Sequence, residues 1–455
     1  SPDEWTSLFD GRTLQGWKAS ENMDSWKIEN GELITSGPRS HLFYVGDVMG
    51  HNFRNFEFMA DVLTEPGANS GIYIHTRFQE GGWPEQGYEC QVLNTYKPQE
   101  ENKMTGSIYA IRNNWKSPVP DNVWFNYQIK VQGKTIQTFI NGDLVAEYTE
   151  PEEIYRVDGF QGRVLSTGTL AIQCHDPESV VHYRNIRVKP LPDDLASPGT
   201  PPEDLAFEKK LIRLHSYGFP LLDLHVHLKG GLTQEDVLAY GRKYGFNCGL
   251  GVNCGLKMGK ETDSELKEYI GESELSPLLW HAMQAEGREW VDLYSRENIN
   301  YFDYVFTDAM TWTNDNGKRM RLWIPEETEI GNPEEFMEQL VTRIEEILGA
   351  EPIDIYVNPT YLPDELNDRY DELWTAERMD RVISALAGNG VALEINNLRR
   401  IPSPAFIKRA KEAGVKFTFG TNNSGADDLG RMDYAISMID ECDLSSDDMW
   451  MPHKN

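Results

Sequence analysis

Polar and apolar residues alternate with a period of two through much of the first 190 or so positions, and helical spacing becomes common after them. Alternation puts successive side chains on opposite faces of a strand. Runs of this kind fall at 26–28, 33–35, 56–63, 71–77, 88–94, 107–112, 125–131, 135–140, 144–148, 170–175 and 182–188. Turn sequences such as Asn30-Gly31 and Asn141-Gly142-Asp143 separate several of them, the usual signal for hairpins. Many short strands with regular turns predict an all-β sandwich of jelly-roll type. Residues 190–205, PLPDDLASPGTPPEDL, read as a linker. Beyond them apolar runs alternate with helical segments, giving about seven β/α units and a parallel sheet closed as a barrel. The predicted chain is multi-domain: a sandwich over 1–191, a linker over 192–206 and an α/β (β/α)7 barrel over 207–455.

Composition agrees with two domains, since 455 residues exceed one ordinary core. The formal net charge is -30, from 73 acids against 43 Lys and Arg. Such a field argues against nucleic acid or an anionic membrane as partner. The 5 cysteines are scattered without a CxxC pair, so neither a disulfide framework nor a zinc-thiolate site is indicated. No apolar run is long enough to span a bilayer. The sequence opens Ser-Pro-Asp-Glu-Trp without Met, which reads as processing and makes a periplasmic or secreted location the expectation. Oligomeric state is not legible.

Three strand faces draw attention. Tyr73, His75 and Arg77 share one face, with Ile72, Ile74 and Thr76 opposite. Glu89 and Gln91 share a face, with Tyr88, Cys90 and Val92 opposite. Gln173 and His175 form a third pair. Trp83 lies in the loop between the first two strands and Tyr109 follows the second. Aromatic and polar groups over an apolar back suit a sugar-binding groove. A solvated outer face of a sandwich is the alternative. Asn69 and Gly71 of the Asn-Ser-Gly run read as turn-shaping residues.

The segments LFDGRTLQGWK (8–18), NSGIYIHT (69–76), GYECQVLNT (87–95), TGSIYA (105–110) and GTLAIQCHDPESVVHYRNIRVKPL (168–191) together resemble the 3-keto-disaccharide hydrolase family. The resemblance covers about the first 190 residues. It implies a concanavalin- or laminin-G-like jelly roll. It also implies a 3-keto-glucoside 1,2-lyase, or a hydratase of the resulting 3-keto-2-hydroxyglucal, with a carbohydrate as substrate. A ketone at C3 acidifies the hydrogen on C2. A base removes it, an enediolate forms and the aglycone leaves C1. Such chemistry needs a base, a donor or cation for the enolate oxygen, and an acid for the leaving oxygen. Glu89, His75 and His175 are the expected acid/base residues. Arg77, Gln91, Tyr73, Tyr109, Trp83 and Gln173 are the expected substrate-binding residues. A divalent metal of unassigned identity would polarise the keto and hydroxyl oxygens.

DLHVHLKGG (223–231) ends the first barrel strand with His225 and His227, two imidazoles projecting to the same side. Together with Glu286, VALEINN (391–397) and KFTFGTNNSGADDLG (416–430), it resembles the polymerase-and-histidinol-phosphatase (PHP) superfamily of metal-dependent phosphoesterases. The departures matter. Thr421-Asn422-Asn423-Ser424 stands where the family shows Ser-Asp-Ala-His, Asn358 where it shows His before Pro, and Asp308 where a His ends the fourth strand. Neutral amides bind a transition metal weakly. The expectation is one metal on His225, His227, Glu286 and Asp308, or a relic barrel in which the two imidazoles hydrogen-bond locally. The insertion at 311–333, with Trp312, Trp323, Arg319 and Arg321, is expected to overhang the barrel mouth.

Three functions follow. The leading one is an enzyme that cleaves 3-keto-glycosides by C2-proton abstraction and elimination, with hydration after it. The first alternative is a PHP-like metal-dependent hydrolase carrying a sugar-binding sandwich. The second is a non-catalytic glycan-binding protein with a degenerate barrel.

Overall fold

A computed structural model describes residues 4–98, 100 and 102–452. The chain forms two compact units. One holds the residues up to Leu221 and Ala239–Asn247, and the other holds Leu222–Leu238 and everything from Cys248 onward.

The first unit contains two antiparallel sheets. The larger runs in the order Asp143–Thr149, Thr135–Ile140, Phe125–Gln132, Phe56–Thr64, Val181–Pro190, Glu32–Thr35 and Trp26–Glu29, with Thr6–Ser7 added to Val181–Pro190. Its central strands alternate as the sequence predicts: Phe56, Phe58, Ala60 and Val62 are buried, and the residues between them are half-exposed. The smaller sheet runs Trp17–Ala19, Ser40–Tyr44, Thr169–Cys174, Asn69–Thr76 and Tyr88–Leu93. Its strands are buried on both faces almost throughout. The register explains this. Leu42, Ile172, Ile72 and Cys90 align across four strands as one apolar face. The opposite face carries the row His41, Gln173, Gly71, Gln91 and the row Phe43, Ala171, Tyr73, Glu89. Loops roof that second face.

Two predicted features differ. Residues 107–112 are not a strand: the chain turns at Ala110, whose φ is 67°, so that Ile108 pairs with Arg112 and with Cys90 as single bridges. The segment predicted as a linker lies along the sandwich, where Gln132 Nε2 donates to the Ala196 carbonyl (2.7 Å) and the Lys134 N–H to Ser197 Oγ (2.7 Å). Helix Leu205–Ser216 follows, capped by Asp204 accepting from the Phe207 N–H, and it belongs to the first unit.

The second unit is built on a closed barrel of parallel strands. The order is Leu222–Val226, Phe417–Gly420, Ala392–Asn396, Ile355–Tyr356, Tyr304–Thr307, Trp280–Ala285 and Asn247–Gly255, which pairs back to the first. Strands such as Leu222–Val226 and Trp280–Ala285 are buried throughout, as parallel strands covered on both faces must be. Helix Pro333–Ala350 covers the barrel with Phe336, Leu340, Ile344 and Ile347, the spacing of one helical face. Inside, the Tyr304 hydroxyl donates to the Leu224 carbonyl in space that Gly249 leaves open. The 311–333 insertion forms a hairpin, but Trp312 is buried against Phe336 (5.8 Å between rings) instead of overhanging. Among the described residues no helix is long and apolar enough to cross a membrane.

Arg112 and Glu208 form a buried ion pair at 2.7 Å in the first unit. Glu208→Ala leaves the guanidinium without its carboxylate, and the expected loss is about 3–5 kcal/mol. Urea unfolding of the full chain checks it; a midpoint shift within error would contradict the pairing.

Candidate active site

A cleft of about 730 Å³ opens on the polar face of the smaller sheet. Strand register brings its floor together: Tyr73 pairs with Glu89, and Gln91 with Gly71. Trp83 and His175 also line it, and Lys103 and Tyr109 come from the loop after the Tyr88–Leu93 strand.

Glu89 is 4% exposed, an uncommon place for a carboxylate. Gln173 Nε2 donates to Glu89 Oε2 at 2.9 Å and to the Tyr73 hydroxyl at 3.2 Å. Burial pushes the Glu89 carboxyl above its ordinary value, while Arg163, Tyr73, His175 and Gln173 pull it back. Gly71 serves this contact. It lies within a strand, not in the turn expected of it, and a Cβ there would run into Glu89 Oε2. The missing side chain is what lets Glu89 reach across to Gln173.

Of the expected residues, the structure brings Glu89, His175, Tyr73, Gln91, Gln173, Trp83 and Tyr109 to one cleft. His75 and Arg77 do not line it. The ladder between Asn69–Thr76 and Thr169–Cys174 slips by one residue near His75, whose φ is 50°. This bulge breaks the alternation on which the expectation rested. His75 Nε2 lies 2.8 Å from the Arg54 carbonyl, Nδ1 accepts from the Ser166 N–H (3.1 Å), and the ring packs on Phe56. Burial pushes its imidazole down to about 4. Arg77, beyond the strand, is exposed.

Sequence reasoning missed four residues. Lys103 is 1% exposed, and its Nζ sits 4.1 Å over the Tyr109 ring. Arg163 stacks 5.5 Å from the Tyr73 ring and donates to the Gly87 carbonyl. Both arrive from loops just outside the motifs at 105–110 and 168–191, and no local spacing marks them. Asn69 lines the cleft with Oδ1 buried and without a partner among the described residues. Its place at the head of the Asn-Ser-Gly run was the available signal. His41 stands behind Gln173, 3.3 Å away, and burial pushes its imidazole down to about 3.

In the barrel, His225 Nδ1 meets Glu394 Oε2 at 2.5 Å, and the His227 ring lies 5.0 Å from that of His225. Asn358 links the far side: its Nδ2 donates to Asp308 Oδ2 (3.1 Å), and its Oδ1 accepts from Asn396 and Asn422 (3.1 and 3.0 Å). Burial, then Asp308, pushes the Glu286 carboxyl up to about 8. His225 Nε2, Glu286 Oε2, Gln284 Oε1 and Asn253 Oδ1 are buried without hydrogen-bond partners among the described residues. Among those residues no group of three or more His, Cys, Asp and Glu is arranged to hold a metal ion.

Residues 4–189 match the model of the family described as the 3-keto-alpha-glucoside-1,2-lyase-like domain. No curated protein matches the chain. A solved structure from Parabacteroides distasonis, named as a candidate glycosyl hydrolase, is 25% identical at a TM-score of 0.36, the match covering 41% of this chain and 94% of that one. A carbohydrate-binding module from Bacillus subtilis is 12% identical at a TM-score of 0.27, over 38% of this chain and 95% of that one. A histidinol phosphate phosphatase from Lactococcus lactis is 15% identical at a TM-score of 0.36, over 50% of this chain and 95% of that one.

The depressed His75 has a consequence for stability. A histidine held neutral by the fold stabilises above its unfolded value and loses that contribution as pH falls. The melting temperature should therefore drop between pH 6.5 and about 4, and the drop should be shallower in His75→Gln. Parallel profiles for the two proteins would contradict the assignment.

Proposed function

We propose that the sandwich cleft eliminates the aglycone from 3-keto-glucosides. The observation that carries this is the buried carboxylate of Glu89, raised by burial and set in a cleft that also holds Lys103 and Arg163. The match of residues 4–189 to a lyase-like family supports it.

In this reading Glu89 takes the proton from C2. The electron pair of the C2–H bond moves toward the C3 oxygen, giving an enediolate. Lys103 and Arg163 stand as the cations for that oxygen, a role that charged donors fill best in a site shielded from water. Collapse of the enediolate breaks the C1–oxygen bond. His175, with Nδ1 at 2.7 Å from Asp176, gives a proton to the departing oxygen. The product is a 3-keto-2-hydroxyglucal, to which water adds. The unpartnered Asn69 Oδ1 would accept from a substrate hydroxyl.

Glu89→Gln keeps the shape and the contact with Gln173 but removes the base. Release of a chromogenic aglycone from a 3-keto-glucoside should fall by about 10³-fold, within the range for general base catalysis. The acid limb of kcat/KM should lie above the ordinary carboxylate range, because only ionised Glu89 is active and burial raises its pKa. Undiminished turnover in the variant would remove Glu89 from the mechanism.

A second reading rests on the barrel's unpartnered donors. His225 meets Glu394 through Nδ1 and leaves Nε2 buried and unpartnered. A carboxylate behind an imidazole is the common support of a metal-ligating histidine. Asn253 and Gln284 pair in register, and Glu286 follows two positions on along the same face. A cation held there would take His225 and Glu286 as its principal ligands, with the two amide oxygens as weaker ones. His227 and Asp308 are engaged elsewhere, by Asn422 and Asn358. A bound divalent ion would supply Lewis acidity for hydrolysis. Metal analysis of the purified full chain should find about one equivalent, lost in His225→Ala/Glu286→Ala. Equal content in both proteins would contradict this reading.

A further inference from the structure

Trp83 differs from the buried tryptophans of the first unit. Trp17, Trp26 and Trp115 are at most 8% exposed, whereas Trp83 is 44% exposed at the lip of the cleft. A single exposed apolar ring is ordinary on a protein surface; this one is set apart because it lines the cleft.

The loop is not a loose one. The Gln79 side chain holds it from within. Its Nε2 donates to the carbonyls of Gly81 and Trp83 (both 2.8 Å), and its Oε1 accepts from the Glu85 N–H (3.0 Å). The indole is also braced. The His175 ring lies 5.1 Å away at 39°, the His41 ring 5.6 Å away at 77°, and the Arg39 guanidinium 5.1 Å from the indole. Arg39 is itself fixed by two hydrogen bonds to Glu21, at 2.7 and 3.0 Å. An aromatic surface held this way loses little freedom when a ligand ring settles on it.

The order of groups along the cleft gives the ring a task. Glu89, Tyr73 and Gln173 are deep and buried, His175 is half-exposed, and Trp83 lies against His175 at the lip. Under the proposed function, on which this step rests, Glu89 faces C2 and His175 faces the oxygen leaving C1. Whatever that oxygen carries then extends toward Trp83. We infer that Trp83 is the stacking platform for the leaving group, and that the cleft selects 3-keto-glucosides whose aglycone presents a flat ring face, aryl or glycosyl. Stacking of this kind is held in the ground state as well as the transition state, so it lowers KM more than it raises kcat.

The test uses the full chain and 3-keto-glucosides carrying methyl, phenyl or glucosyl aglycones, with kcat and KM measured for wild type, Trp83→Ala and Trp83→Phe. The expected result is a KM increase in Trp83→Ala about tenfold larger for a ring-bearing substrate than for the methyl one, largely recovered in Trp83→Phe. Whether phenyl or glucosyl shows the larger penalty names the source of the ring. A change of the same size on all three substrates, or none on any, overturns the assignment and leaves elimination by Glu89 standing. Failure of the wild type to turn over any of the three overturns both.

Discussion

Burying one carboxylate shapes the first unit's cleft. An ionised group taken out of water costs several kcal/mol unless the protein replaces its solvation. Around Glu89 the replacement comes from several elements: Gln173 from the strand beyond Asn69–Thr76, Tyr73 paired across the ladder, and Arg163 from a loop. Gly71 leaves the room these contacts need. The compensation is incomplete, so burial leaves the carboxyl easier to protonate than a free one. Under the proposed elimination, a carboxylate raised in this way is a stronger base toward the C2 proton than a free one.

The barrel meets the same constraint differently. Glu394 is also buried, and a Cβ on Gly420 would collide with it as one on Gly71 would with Glu89. Burial pushes Glu394 up, but His225 and the hydrogen bonds from Asn358 and Asn396 hold it below its ordinary value. Beside this pair the chain carries amides that hydrogen-bond to one another through Asn358. Among the described residues, buried polar atoms without hydrogen-bond partners remain on the strands at 222–226, 247–255 and 280–285.

Much of this was legible in the sequence because it rests on short-range periodicity. Alternation in 56–63 and 125–131 and the β/α repeats predict the sandwich strands and the barrel directly. The floor of the cleft was legible for the same reason, since Tyr73, Glu89, Gln91 and Gln173 sit on regular strands. His75 was not, because a bulge turns it to the other face and bulges leave no mark on alternation. Lys103 and Arg163 were not, because they reach the cleft from loops whose positions depend on the folded sheet. Glycine usually signals a turn, so the sequence alone predicts one at Gly71; its role is steric and appears only when Glu89 is seen beside it.

The most direct test of elimination follows one atom. A 3-keto-glucoside carrying deuterium at C2 is turned over by the full chain in ordinary water, and the released sugar is weighed by mass spectrometry against a no-enzyme control for exchange. Proton abstraction by Glu89 requires the C2–deuterium bond to break, so the product should have lost the label. A product that retains its deuterium would mean direct displacement at C1, and would contradict the account given for the cleft.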